Sequence, residues 1–271
     1  MSNLIKTIQV LIPTYNRLDS IKDTIDSVLS NVKVNVQIDI IDNGSSDGTF
    51  DQLNHLFSNQ INQNVIKIHY FNKTVPMVDN WNRCVDLINQ ESDYVMLLWS
   101  DDILSNYHFI AKLKEFESNP ELLCIGNNVA KIDQNSRIVG YRKYGGWGCF
   151  QKTILYKNYL GFPSTWLFVN QKGRFKKFIS DFPYSADLTF LLEFLNQDHS
   201  KFKVLYSDLT YLRVSSDTET SKFFGTSDML EEHKKFRKYA IKKNIACINF
   251  ISVQIANLLE KSFFFLRRIF K

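Results

Sequence analysis

Four cysteines are spread over 271 residues, Cys84, Cys124, Cys149 and Cys247, and no two of them form a C-x-x-C pair. That spacing argues against a structural zinc site and against a disulfide framework, and it suits a reducing, cytosolic compartment. There is no H-E-x-x-H, and the five histidines do not cluster along the chain. The G-x-G-x-x-G of a dinucleotide fold is missing after the first strand pattern. So is the G-x-x-x-x-G-K-S/T of a phosphate-binding loop, which sets aside the obvious ATPase reading. The opening residues, MSNLIKTIQVLIPTYNR, lack the apolar segment of a signal peptide, and their apolar side chains fit a strand instead. The sequence contains no internal repeat and no low-complexity linker. The apolar run near the C-terminus falls short of the ~20 residues needed to span a bilayer.

What is present is an alternation. Apolar periodicity predicts strands over 8–12, 36–41, 65–71, 94–99 and 122–130, and helices over 18–30, 50–57, 77–89 and 107–117. Strand and helix in turn predict an α/β fold with a mostly parallel sheet flanked by helices. Beyond residue 130 the regularity fades, with a helix expected over 187–196 and one or two strands over 203–214. The glycine-rich segment YRKYGGWGCF, 141–150, reads as a mobile lid or as a plain turn.

Charge is divided unevenly. Residues 233–271 hold ten lysines and arginines against one acid, Glu260, while the rest of the chain carries 23 basic and 27 acidic side chains. We therefore expect a main domain over 1–230 and a basic helical tail over 231–271, the tail seeking an anionic partner. Lys, Arg and Phe interleave there as in an interfacial helix, so a peripheral membrane surface is the expected partner and a nucleic acid is not. A helix packed on the domain or on a second subunit is the competing reading.

Three strand ends carry unusual residues: IPTYNR at 12–17, IDNGSSDGT at 41–49 and WSDD at 99–102. Polar residues gathered along one edge of a parallel sheet make a site. Asp101 and Asp102 lie side by side there, and two adjacent carboxylates repel unless something cationic neutralises them. A hard divalent cation does so with oxygen ligands. A helix cap is the plainer alternative. Asp187, at the start of ADLTFLLEFL, is likewise either a cap or a functional carboxylate.

Taken in order, VLIPTYNR, IIDNGSSDGT, NWNRC, WSDD, YSADLTFLLEF and TYLRV resemble the family 2 glycosyltransferases over about residues 7–215. The resemblance implies a GT-A type, Rossmann-like fold with a mixed, mostly parallel sheet and a C-terminal helical tail. It implies an inverting, metal-dependent enzyme that moves a hexosyl or deoxyhexosyl group from a nucleotide diphosphate donor to a saccharide acceptor. Pro13, Tyr15, Asp42, Asn43, Asn82, Ser100, Asp101 and Arg213 would contact the donor nucleotide, with Tyr15 packing on the base. Asp101 and Asp102 would hold Mg²⁺ or Mn²⁺. Asp187 would be the general base, with Asp181 its nearest competitor in sequence. Trp147 and Trp166 are candidates for the acceptor side, although a tryptophan is more often core.

The sequence also departs from the family pattern. Trp99 stands where many relatives carry the first carboxylate of D-x-D-D. Asn43 replaces a second Asp, and since an amide both donates and accepts, UDP, dTDP and CDP donors all remain open. Ser215 replaces a His after Leu212-Arg213-Val214. Relatives of this type extend lipopolysaccharide, O-antigen or capsule on lipid-linked intermediates, which places the expected activity at the cytoplasmic face of the cell membrane. The rival readings are a catalytically inactive nucleotide-sugar-binding or scaffold protein, and a metal-dependent phosphatase or nucleotidyltransferase, for which IPTYNR supplies no nucleophile.

Overall fold

The computed structural model describes residues 6–145, 158, 160–196, 198–214 and 226–243. The first half alternates as expected: β1 (Thr7–Thr14), α1 (Ile21–Leu29), β2 (Asn35–Asp42), α2 (Thr49–Leu56), α3 (Ser58–Asn62), β3 (Ile66–Tyr70), α4 (Met77–Asp86) and β4 (Tyr94–Leu97). There follow β5 (Ile103–Leu104), α5 (His108–Ser118), β6 (Cys124–Ile132), β7 (Ile138–Arg142), a 3₁₀ turn (Pro163–Thr165) and β8 (Leu167–Val169). The last elements are α6 (Ala186–Leu195), β9 (Phe202–Arg213) and α7 (Ser227–Lys242).

One sheet runs through the molecule in the order β3-β2-β1-β4-β8-β6-β9-β5, with β7 added beside β6. β1 pairs in parallel with both β2 and β4, and β2 with β3, so the carboxyl ends of β1, β2 and β4 share one edge. Parallel strands are covered on both faces and are apolar throughout, which is why seven of the eight β1 residues are buried. Successive β1 residues serve opposite layers. Val10 and Ile12 pack with Met96, Leu98 and Phe109 on one face, while Leu11 packs with Leu97, Phe168 and Phe190 on the other.

The sequence missed β5, β7 and β8. Each is short, and β8 exists only because it slots antiparallel between β4 and β6. A three-residue strand has no periodicity of its own to read. The expected strand over 94–99 ends at Leu97, because Trp99 enters a turn closed by the Asp102 N–H on the Trp99 carbonyl at 3.1 Å.

The boundary drawn at residue 230 falls inside α7, which runs on unbroken. Phe236 and Tyr239 pack against Phe182, at 6.5 and 5.3 Å between ring centroids, and Lys243 pairs with Glu193 of α6 at 2.9 Å. This part of the expected tail lies on the domain. Residues 244–271 lie outside the described residues, and among those described no helix is long and apolar enough to cross a membrane.

Candidate active site

The loops after β1 and β2 are laced together. Asn16 takes a left-handed backbone, φ 50°, and both its backbone and side chain reach across the cleft edge. Its N–H donates to Ser45 Oγ at 2.9 Å, and its Oδ1 accepts the Ser46 N–H at 2.9 Å. The Arg17 N–H donates to Thr49 Oγ1 at 3.0 Å, and the Leu18 N–H to Asp47 Oδ2 at 3.1 Å. Gly44 has φ +78°, and a Cβ there would lie 2.9 Å from the Phe71 carbonyl, so the D-N-G sequence meets a backbone that only glycine fits without strain.

Asp42 ends β2. Its Oδ1 accepts the Ser45 N–H at 2.8 Å, while its Oδ2 is buried with no hydrogen-bond partner. Pro13 is buried within β1, in register with Ile41. Tyr15, two residues on, has 45% of its surface open.

The Trp99–Asp102 turn carries the two adjacent carboxylates. Asp102 is wholly buried; no donor meets full hydrogen-bond geometry with either of its oxygens, although the Ser164 hydroxyl and the Arg213 backbone N–H lie close enough to favour its charged form. Burial and the neighbouring Asp101 push its carboxyl well above the usual range. Asp101 is also raised by burial, and Arg17 and Arg213 draw it back. Arg17 Nε lies 3.9 Å from Asp101 Oδ2. A buried carboxylate beside a second, partly exposed one is what a hard divalent cation relieves, and the donor set fits Mg²⁺ or Mn²⁺. Among the described residues no group of three or more His, Cys, Asp or Glu could hold a metal ion. Two protein carboxylates therefore leave the remaining ligands to come from substrate and water.

Asp187 sits in the first turn of α6, but Ser185 is the N-cap. The Asp187 side chain accepts only its neighbour's N–H, Leu188 at 2.6 Å, so it does not cap the helix. Its own surface is partly open, yet protein packs densely around it, and this burial raises its carboxyl to about 7. Arg142 opposes the rise, while Glu232 of α7, itself buried and holding the Tyr184 N–H at 3.0 Å, adds to it. Tyr144 joins the two carboxylate sites. It is buried, and its phenol is pushed upward by burial and by the charges of both Asp187 and Asp102. Arg142 lies 4.9 Å over the Tyr144 ring. Tyr144 thus lies within electrostatic reach of both carboxylate sites.

Other expected residues turn out to be spent within the protein. The Asn82 side chain donates to the Phe178 carbonyl at 3.1 Å and accepts the Phe178 N–H at 2.7 Å, so this amide clamps a loop. The Asn43 amide donates to the Val75 carbonyl and accepts the Val75 N–H and Arg83 Nη1, at 2.8, 3.0 and 2.8 Å. Trp166 is wholly buried, with its indole N–H on the Leu160 carbonyl at 2.7 Å, so no face is open to a sugar. It is a core residue, not an acceptor contact. Trp147 lies outside the described residues. Asp181 is exposed.

Ser100 is buried, and its carbonyl accepts the Ser20 hydroxyl at 3.1 Å. Arg213 pairs with Asp23 at 3.0 Å and holds the 133–136 turn, while its Nε is buried without a partner. It lies within electrostatic reach of both paired aspartates. Arg17, Tyr144, Arg142 and Glu232 were not read from the sequence. Arg17 was within reach of that reading, since it follows IPTYN at a strand end.

Residues 9–180 match the family model described as "Glycosyl transferase family 2". No curated protein matches the chain in sequence. Among solved structures, residues 1–349 of Staphylococcus aureus TarS with UDP-GlcNAc superpose with a TM-score of 0.66 at 15% identity, over 89% of this chain and 68% of that one. The longer S. aureus TarS structure gives 0.63, and this chain spans 41% of its length. The mannosyltransferase PcManGT from Pyrobaculum calidifontis, with GDP-Man and Mn²⁺, gives 0.63 at 11% identity, over 89% of this chain and 65% of that one. The similarity is one of fold, and the fold is the GT-A arrangement expected.

Proposed function

The chain belongs to glycosyl transferase family 2, and from that premise we propose that it transfers a sugar from a nucleotide diphosphate donor to a saccharide acceptor with inversion at the anomeric carbon. The observation that carries this reading is the wholly buried Asp102 beside Asp101 at the carboxyl edge of the parallel strands, together with the raised Asp187 carboxyl in the first turn of α6.

Tyr15 packs on the base, and the unspent Asp42 Oδ2 accepts from it. A buried acceptor of this kind suits the N3–H of a uracil or thymine. Asp101 and Asp102 would hold Mg²⁺ or Mn²⁺, which would supply positive charge to the departing diphosphate. Arg17 and Arg213 flank the carboxylate pair and add fixed positive charge on the same side. Asp187 takes the proton of the acceptor hydroxyl as that oxygen attacks. The bond from C1 to the acceptor oxygen forms on the face opposite the phosphate as the bond from C1 to the phosphate oxygen breaks, and that oxygen and its electron pair leave with the nucleoside diphosphate. The raised Asp187 carboxyl matches a base working near neutral pH.

The excess of basic residues over 231–271 supports docking on an anionic membrane at the cytoplasmic face, where each one near the surface contributes on the order of 1 kcal/mol; Arg237, buried in α7, is not among them. A lipid-linked acceptor of lipopolysaccharide, O-antigen or capsule synthesis fits that location.

The test is donor hydrolysis and transfer with UDP-, dTDP-, CDP- and GDP-sugars and Mn²⁺. We expect turnover with a uridine or thymidine donor, abolished by EDTA and by Asp102→Ala. Full turnover in EDTA sinks the metal assignment. Binding without any turnover favours an inactive nucleotide-sugar-binding protein.

A further inference from the structure

A network of buried polar groups lies beneath the Trp99–Asp102 turn, and the chemistry above does not use it. Lys112 of α5 is wholly buried. Its ammonium gives three hydrogen bonds, to His108 Nε2 at 2.9 Å, Asn127 Oδ1 at 2.8 Å and the Thr165 carbonyl at 2.7 Å. Because Nε2 accepts, the His108 proton sits on Nδ1, 2.9 Å from Asp208 Oδ2. The other Asp208 oxygen takes the Ser105 hydroxyl at 2.6 Å. Burial keeps the imidazole neutral. Lys112 and Asp208 are thus the two charged ends of a relay whose net charge is zero, and such an arrangement is stable out of water only when every donor and acceptor is used.

The relay ends at the 3₁₀ turn. The Asn127 amide donates to Thr210 Oγ1 at 3.0 Å, and the Thr210 hydroxyl donates to the Ser164 carbonyl at 2.9 Å. The backbone of Ser164 and Thr165 is therefore gripped at two successive carbonyls. From this fixed point Ser164 Oγ accepts the Trp99 N–H at 2.9 Å, and Trp99 closes the turn onto the Asp102 N–H. An unbroken series of bonds and short covalent links leads from the Lys112–Asp208 pair to the two carboxylates.

We propose that Ser164 is a positioning residue of the metal site: anchored by the Lys112 relay, it fixes the Trp99–Asp102 turn so that Asp101 and Asp102 converge on one cation. This rests on the reading of those aspartates as metal ligands. A hydroxyl suits the position because its oxygen accepts the turn's N–H at 2.9 Å and so ties the turn to the anchored 3₁₀ segment. Alanine there leaves the partly buried Trp99 N–H without its Ser164 acceptor.

The experiment titrates the full chain with Mn²⁺ alone and reads the free ion by electron paramagnetic resonance, for the wild type, Asp102→Ala, Ser164→Ala and Ser164→Thr. Groups that orient ligands without touching the metal typically change its affinity by about 10–100-fold. We expect Asp102→Ala to lose binding and Ser164→Ala to bind about tenfold more weakly while still unfolding cooperatively. Ser164→Thr, which keeps the hydroxyl, should bind close to the wild type. Wild-type affinity in Ser164→Ala, with Asp102→Ala impaired, overturns the positioning role and leaves the metal site standing. Equal losses in Ser164→Ala and Ser164→Thr assign the effect to packing and overturn it too. No binding by the wild type, or undiminished binding by Asp102→Ala, removes the metal site and this inference with it.

Discussion

Trp81 and Trp99 stack face to face, their ring centroids 4.5 Å apart and their planes 18° from parallel. Phe178 meets the Trp81 edge at 5.4 Å and stacks on Phe190 of α6 at 4.2 Å. One column of rings thus runs from the turn carrying Asp101 and Asp102 to the helix carrying Asp187. The residue that stands where many relatives have a carboxylate is here the end of a spacer between the two halves of the site.

The column is testable by a double-mutant cycle. Trp81→Leu and Trp99→Leu should couple by about 1 kcal/mol in unfolding free energy, the usual size for an aromatic pair beyond its buried area. Urea denaturation of the two single variants and the double variant measures it, and strict additivity would show that the stack is incidental.

Asp187→Asn preserves shape but cannot take a proton. Transfer should fall by about 10²–10⁴-fold with donor binding little changed. In the wild type the active carboxylate form grows as pH rises through about 7, so turnover rises across that range. The sign for stability is opposite. A carboxyl raised in the folded state favours folding in its neutral form, so its cost appears as pH climbs from the unfolded value toward 7. Asp187→Asn should therefore melt at a higher temperature than the wild type at pH 8, and the difference should shrink at pH 4.

Arg142 lowers the Asp187 carboxyl, so Arg142→Met should move the rising limb of the pH–rate profile to higher pH. An unmoved limb with reduced turnover would give Arg142 a substrate-binding role instead.

Lys112→Met removes the only cation bonded within the buried relay and strands the charge of Asp208. Breaking a buried pair in this way costs about 3–5 kcal/mol, which urea unfolding at pH 7 should show. Asp208 itself is pushed up by burial and drawn down more strongly by His108, Lys112 and Ser105, to about 2. Its contribution is therefore present above the unfolded carboxylate value and lost as pH falls from about 4 toward 2. The wild type should lose more stability over that range than Asp208→Asn does.

Legibility in the sequence followed locality. The parallel core strands, α1, α6 and the strand-end aspartates could be read because periodicity and adjacency lie within a few residues. Asn82 and Asn43 looked like ligand contacts because an amide in a motif is polar, yet their partners, Phe178 and Val75, are loop backbone that no local pattern points to. Trp166 reads equally as sugar platform or core, and only the Leu160 carbonyl decides. Tyr144 reaches the site because β7 turns back along β6, a pairing between residues such as Val129 and Arg142 that periodicity does not encode. Ser164 owes its place to β8, whose three residues carry no signal.

The crossed hydrogen bonds between the 15–18 and 45–49 loops bear on the kinetics of ligand capture. A wall already immobile before the nucleotide arrives loses little conformational entropy on binding, so its affinity is less eroded by ordering than that of a floppy loop. Encounter at this wall should need no slow rearrangement, and differences between nucleotides should appear chiefly in how long each stays bound rather than in how fast it arrives.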